Sequence, residues 1–168
     1  AVIPAHLLAL DAHRQLDRRR QRALSRYYLD AGAGGLAVGV HSTQFAIREH
    51  GLYPTVLALA MQTAREWVPL GGRRPLAMIA GLAGRTAQAV AEAETARCAG
   101  YHAGMLSLAA MKGADEDALI AHCEAVAAVL AGVGGLSAFA VAGGVAALAV
   151  AAATLIGAPG AVAMRWLA

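Results

Sequence analysis

The chain is poor in the residues that staple, ligate or attack. Its 168 residues include two cysteines, two tryptophans, two phenylalanines and a single lysine, Lys112, and aromatic residues make up 5% of it. Two cysteines without CxxC spacing, Cys98 and Cys123, exclude a disulfide framework and a thiolate zinc site. They are expected as buried thiols of a reducing cytoplasm. The six histidines are scattered and form no HExxH pair, so no metal and no other cofactor is expected. There is no GxSxG nucleophile elbow. The Gly-rich run Ala31–Gly35 precedes a strand rather than following one, which is the wrong order for dinucleotide binding. Gly81–Thr86 does follow a strand, but it lacks the GK[ST] ending of a phosphate loop, and a tight turn with Thr86 as helix cap is expected there.

Hydrophobic residues make up 58% of the chain, ample for the core of one domain. The net charge of +3 comes mostly from the run His13–Arg22, HRQLDRRRQR. It has no interleaved aromatics, so it reads as a solvated helix face, and no nucleic-acid partner is expected. The apolar start, Ala1–Leu10, carries Pro4 and His6 and lacks a basic leader, so no secretory signal is expected.

Four strand–helix units follow one another. Strands are expected at Val2–Leu10, Gly35–Val40, Leu76–Ala80 and Gly104–Leu108. Helices are expected at Asp17–Ala31, Tyr53–Trp67, from Thr86 to about Ala99, and at Asp115–Val129, the last opened by acids that suit its dipole. Starts roughly 25 to 40 residues apart are what parallel crossovers require. Two helix-to-strand joints, around Gly32 and Gly100, repeat an Ala-Gly turn, which fits a (β/α) barrel better than an open sheet. The fold class expected is α/β, a partial TIM barrel over residues 1–130. From Ala125 to Met164 there is no charged residue. Residues 131–168 read as a divergent Ala/Gly-rich tail, helical, membrane-inserting or foreign to the original reading frame, with a membrane span disfavoured because Ala and Gly insert poorly.

The second strand runs from an apolar stretch into His41, Ser42, Thr43 and Gln44. In parallel α/β folds, ligands are bound just beyond the carboxyl ends of the strands. The cluster is therefore the candidate site, against the alternative of a polar strand end that caps the next turn.

The run Met78–Leu106 resembles the third strand, third helix and fourth strand of the dihydrodipicolinate synthase / N-acetylneuraminate lyase family. Ile3-Pro4-Ala5 resembles its first strand, and Asp115–Val129 its fourth helix. His41 to Phe45 falls where the family carries a Gly-Thr-Thr-Gly-Glu-Phe signature. The resemblance covers residues 2 to 130, the N-terminal half of such a barrel. It implies a class I aldolase-type lyase, working without a cofactor, in which a lysine amine forms a Schiff base with pyruvate or a related 2-oxo acid. His41 and Ser42 take the place of the carboxylate-holding threonine pair, with Thr43 and Gln44 replacing Gly and Glu. The family's tyrosine pair after strand four becomes Ala110 and Met111, the expected fifth strand within Gly132–Val141 has no tyrosine, and no lysine-bearing sixth strand is recognisable. Lys112, on the rim but on the wrong strand, is the one candidate amine. The expectations are a cytoplasmic lyase-family chain that binds a small 2-oxo acid and self-associates, or a non-catalytic remnant that keeps the acid cradle.

Overall fold

The computed structural model describes residues 2–40, 44–68, 76–131 and 138–142. The elements are α1 (Arg18–Asp30), β1 (Gly35–Val38), a 3₁₀ turn (Phe45–Arg48), α2 (Tyr53–Trp67), β2 (Ala77–Leu82), α3 (Thr86–Ala99), β3 (Ala103–Ser107), a second 3₁₀ turn (Ala109–Met111), α4 (Glu116–Ala131) and β4 (Ala138–Ala142). The four strands form one sheet in the order β1-β2-β3-β4, and every pairing is parallel. Each strand thus lies beside the one before it, the winding of a barrel rather than of a doubly wound sheet, whose order reverses partway.

Local chemistry sets the helix ends. Asp17 caps α1 by accepting a hydrogen bond from the backbone of Arg20 at 2.9 Å, and Asp115 accepts one from Ala118 at 2.8 Å at the start of α4. Gly100 ends α3 with φ 85°, a left-handed conformation that costs glycine nothing. Arg85 rather than Thr86 stands at the N-cap of α3, with no side-chain cap. The Thr86 hydroxyl is drawn instead to Nδ1 of the buried His122 on α4, 2.9 Å away.

Alternation along the strands divides the sheet into two faces. Leu36, Val38, Met78, Leu82 and Leu106 are all but inaccessible and share one apolar cluster with Val56, Leu57, Ala89, Ala93 and Val126 of the helices. Each large side chain buried there contributes roughly 1.5–3 kcal/mol. On the opposite face, Ala77, Ile79, Ala103, Met105 and Ser107 are only half-buried. Tyr101 closes the core beside α3 and donates to the carbonyl of Leu57 at 3.0 Å.

Several expectations change. Val2–Leu10 is an edge strip rather than a full strand. It runs parallel to β1 through a single bridge, Ala5 to Ala37, with bonds from Gly34 to Val2, from Ala37 to Pro4 and from His6 to Ala37. Pro4 has no N–H to give the ladder, which keeps it short. Residues 138–142 form β4 and take the open edge of β3, a strand inside the tail read as helical and overlapping the stretch Gly132–Val141 where the resemblance puts the fifth strand. Cys98 is exposed, and Cys123 is only half-buried, packed at the margin of the apolar cluster. Among the described residues no helix is long and apolar enough to cross a membrane. Residues 143–168, the bulk of the divergent tail, lie outside the described residues.

The strip is held by a buried polar cluster. His6 places Nε2 2.9 Å from the Ser25 hydroxyl and Nδ1 2.8 Å from the Gln21 amide, while Ser25 donates to the carbonyl of Gln21. The set is satisfied only if His6 is neutral with its proton on Nε2. Burial lowers its pKa to about 4. The unfolded chain therefore takes up a proton near 6.5 that the folded chain refuses until about 4. Stability should be full above about pH 6.5 and fall by about 3 kcal/mol as the pH drops through this window. Urea unfolding between about pH 7.5 and about pH 4.5 should show the slope, and His6→Asn should be less stable at neutral pH but lose most of that slope.

Candidate functional site

The strands deliver their carboxyl ends to one rim, and the rim is built around Arg48. The side chain is 9% exposed and its partner Glu92 8%. Arg48 Nε lies 2.9 Å from Glu92 Oε1, and Nη2 lies 2.8 Å from Oε2. The remaining reach of the guanidinium goes to backbone: Nη1 donates to Gly39 O at 3.0 Å and Nη2 to Gly81 O at 3.0 Å. Its plane lies over the rings of Tyr53, 4.7 Å to the centroid, and Phe45, 5.2 Å. Glu92 in turn accepts from the backbone of Ala83 at 3.0 Å and from the Gln88 amide at 2.9 Å. One ion pair thus ties the segment after β1, the end of β2 and the first half of α3.

Phenols on this side of the molecule are committed. Tyr53 donates to Gly81 O at 2.8 Å. Burial, reinforced by the Glu92 carboxylate and opposed by Arg48, holds its pKa far above the ordinary value. Burial raises that of Tyr101 as well, with the neighbouring Tyr53 adding to it. Neither phenol is placed to carry a proton at neutral pH.

The cluster expected from sequence divides. His41, Ser42 and Thr43 lie outside the described residues. Gln44 is buried at 2% exposure and its amide is used internally: Oε1 accepts from Gly39 N at 2.7 Å, and Nε2 donates to Leu7 O at 3.1 Å and faces His6 Nδ1 at 3.2 Å. Gln44 therefore fastens the loop to β1 and to the N-terminal strip. Lys112 is exposed just past β3, at the end of the 3₁₀ turn that carries Ala110 and Met111.

A cleft of about 620 Å³ opens at this rim, with Phe45, Arg48, Ala83, Glu92, Ser107 and Ala110 among its lining. It collects residues that follow β1, β2 and β3. A smaller depression of about 380 Å³ lies at the other end of the helical layer, between the C-terminal halves of α2 and α3. Among the described residues no group of three or more His, Cys, Asp or Glu side chains could hold a metal.

Sequence reasoning missed Arg48 and Glu92. A signal was available: the buried face of α3 reads Ala89, Glu92, Ala93, Ala96, which places a carboxylate at a core position that demands a buried cation. The partner, 44 residues away, could not be named from spacing.

No protein-family description matches the sequence, and no curated protein does. Solved structures match by fold. A prophage protein of the dihydrodipicolinic acid synthase family from E. coli K12, solved with pyruvate, superposes with a TM-score of 0.70 and 20% identity, over 84% of this chain and 43% of that one. A dihydrodipicolinate synthase from Agrobacterium tumefaciens gives 0.65 and 22%, over 82% and 42%. The protein CdNal from Clostridium difficile, solved with mannosamine, gives 0.66 and 16%, over 84% and 45%. The chain has the fold of part of these barrels and spans less than half of their length.

Removing the cation should cost more than removing the pair. Arg48→Met leaves Glu92 buried and uncompensated, and is expected to cost about 3–5 kcal/mol in urea unfolding. Arg48→Met with Glu92→Leu should recover part of that loss, the carbonyls of Gly39 and Gly81 remaining without their donor. An additive or larger loss in the double variant would contradict this.

Proposed function

We propose that the chain is the N-terminal half of a barrel of the dihydrodipicolinate synthase / N-acetylneuraminate lyase family, and that it holds the carboxylate of pyruvate or a related 2-oxo acid at the rim described above. The observation that carries this reading is the cleft at the carboxyl ends of β1, β2 and β3, lined by Phe45, which in sequence closes the stretch where the family keeps its acid-holding hydroxyls. His41 and Ser42 would donate to the carboxylate. Gln44 would shape the loop from beneath rather than touch the acid.

In such lyases an amine attacks the oxo carbon and expels water, and the resulting iminium accepts electrons when the neighbouring carbon–carbon bond forms or breaks. This chain supplies one amine, Lys112. The described tyrosines leave no phenol free for a proton relay at the cleft: Tyr53 and Tyr101 are buried and bonded to carbonyls, and Tyr27 and Tyr28 lie near the far end of α1. Residues 1–168 are thus proposed to bind the acid without turning it over. The second reading, an active lyase, depends on Lys112 lying on the same rim. Self-association is proposed on physical grounds: the sheet face carrying Ile79 and Met105 is half-covered, and a partial barrel leaves its inner layer unfilled.

Ligand-observed NMR with pyruvate, followed by borohydride reduction and mass spectrometry, tests both readings. Binding without an adduct is expected. His41→Ala with Ser42→Ala should weaken it about tenfold for each charge-assisted hydrogen bond lost. Failure to bind, or binding indifferent to those replacements, overturns the cradle. An adduct on Lys112 replaces passive binding with catalysis.

A further inference from the structure

We propose that the N-terminal strip is a dimer interface: two copies of the chain add strip to strip, antiparallel, about a two-fold axis at Ala5. This deepens the self-association proposed above and is independent of the acid cradle. The strip is bonded along one side only. Val2 O accepts from Gly34 at 2.8 Å, Pro4 O accepts from Ala37 at 3.0 Å, and His6 N–H donates to Ala37 O at 2.8 Å. Backbone groups of successive strand residues alternate in direction, so those of Ile3 and Ala5 face away from β1. Among the described residues nothing bonds to the N–H or C=O of Ile3 or Ala5, or to the N–H of Leu7. Leu7 O is already taken by the Gln21 and Gln44 amides. Edges of this kind are usually blunted by charge, a bulge or an outward-facing proline nitrogen. Here Pro4 turns its nitrogen toward β1, and no Asp, Glu, Lys or Arg occurs from Val2 to Leu10. Of the seven exposed large hydrophobic side chains among the described residues, four, Val2, Ile3, Leu7 and Leu10, belong to this strip.

The free groups select a second copy as the occupant. About an axis at Ala5, each Ala5 N–H meets the carbonyl of the other, and each Leu7 N–H meets the Ile3 carbonyl opposite, so the pattern is its own complement. Ile3 then stands across from Leu7 of the second copy, apolar against apolar. Two-fold pairing sets the residues near the axis against their own copies and penalises any charge there, and the strip carries none. The bridge from Ala5 to Ala37 continues in register through Ile79 to Ala103. Ile3, Ala5 and Leu7 therefore extend the half-covered face that carries Ile79 and Met105, and the pairing joins two such faces in one sheet.

Light scattering after size exclusion, over a wide concentration range, tests the interface in the full chain and in variants. Wild type should form a concentration-dependent dimer. Ala5→Pro removes an N–H that makes no bond within the chain, and should weaken the dimer at least about tenfold while the dilute monomer keeps its urea midpoint. Ile3→Lys and Leu7→Asp should each weaken it about tenfold, and the two together in one chain should recover most of the loss, because the pairing sets Ile3 against Leu7. In wild type, exchange of the Ala5 and Leu7 amides should slow about tenfold as concentration rises, with Ile3 unchanged because the carbonyl it faces is occupied. That readout needs no variant. A dimer indifferent to Ala5→Pro, with strip exchange independent of concentration, overturns the strip interface and leaves self-association standing through another surface. Strip amides protected at every dilution mean that the chain covers its own edge, and overturn it as well. So does a double variant that recovers nothing, or a species that grows past the dimer by head-to-tail addition. A monomer at every concentration removes self-association itself and this inference with it.

Discussion

Two strand ends approach so closely at the rim that only glycine fits. A Cβ on Gly81 would run into the carbonyl of Gly39 and the Cα of Val40, both backbone atoms that cannot step aside. The carbonyls of Gly39 and Gly81 consequently stand where no side chain of their own can cover them, and an unpaired buried carbonyl is costly. Arg48 meets both, and Tyr53 adds a second donor to Gly81. Burying a guanidinium is itself expensive, so Glu92 must be buried with it, and Glu92 then reaches Ala83 and Gln88 to satisfy its own oxygens. A steric constraint at one glycine thus propagates into an ion pair, a stacked aromatic and the seating of α3.

This chain of requirements explains what could be read from the sequence and what could not. The helix starts near Asp17 and Asp115 and the span Tyr53–Trp67 were legible because helix-end chemistry and 3.6-residue periodicity are local, and all three helices stand where they are expected. The parallel alternation was legible because crossovers need that length of chain. Local signals fail where the partner is distant. Thr86 looks like a cap until His122, 36 residues on, takes its hydroxyl. His6 reads as one polar residue in an apolar strip until Gln21, Ser25 and Gln44 surround it. Gln44 is the instructive case, since it looks like part of a binding cluster and its amide turns inward. β4 was legible only through the resemblance, which puts a strand within Gly132–Val141: by composition Ala138–Ala142 sits among Ala, Gly and Val that suit helix and strand alike, and the open edge of β3 decides.

The N-terminal strip and the rim are one construction rather than two. Gln44 touches the strip at Leu7 and His6 and the strand at Gly39. The strip's own hold on α1 passes through Gln21, which accepts from Ala9 and donates to Leu7. Protonating His6 would place a cation among amide groups that already donate toward it, so loosening would begin under the loop that follows β1.

The electrostatics of the rim bear on what kind of ligand it can hold. Arg48 and Glu92 cancel, and Lys112 stands in solvent, where its charge is screened within about 8–10 Å at ordinary ionic strength. Among the described residues, then, the rim offers an acid little net charge. The holder proposed above relies instead on oriented dipoles such as the donors of His41 and Ser42, whose strength depends on angle and distance far more than a point charge does. A holder of that kind works only if its frame does not give, and the frame offered is the end of β1 at Gly39, whose carbonyl is bonded to a buried, bidentate guanidinium. Rigid support without a free charge is compatible with a small ligand anionic at one end, the class of acid proposed above.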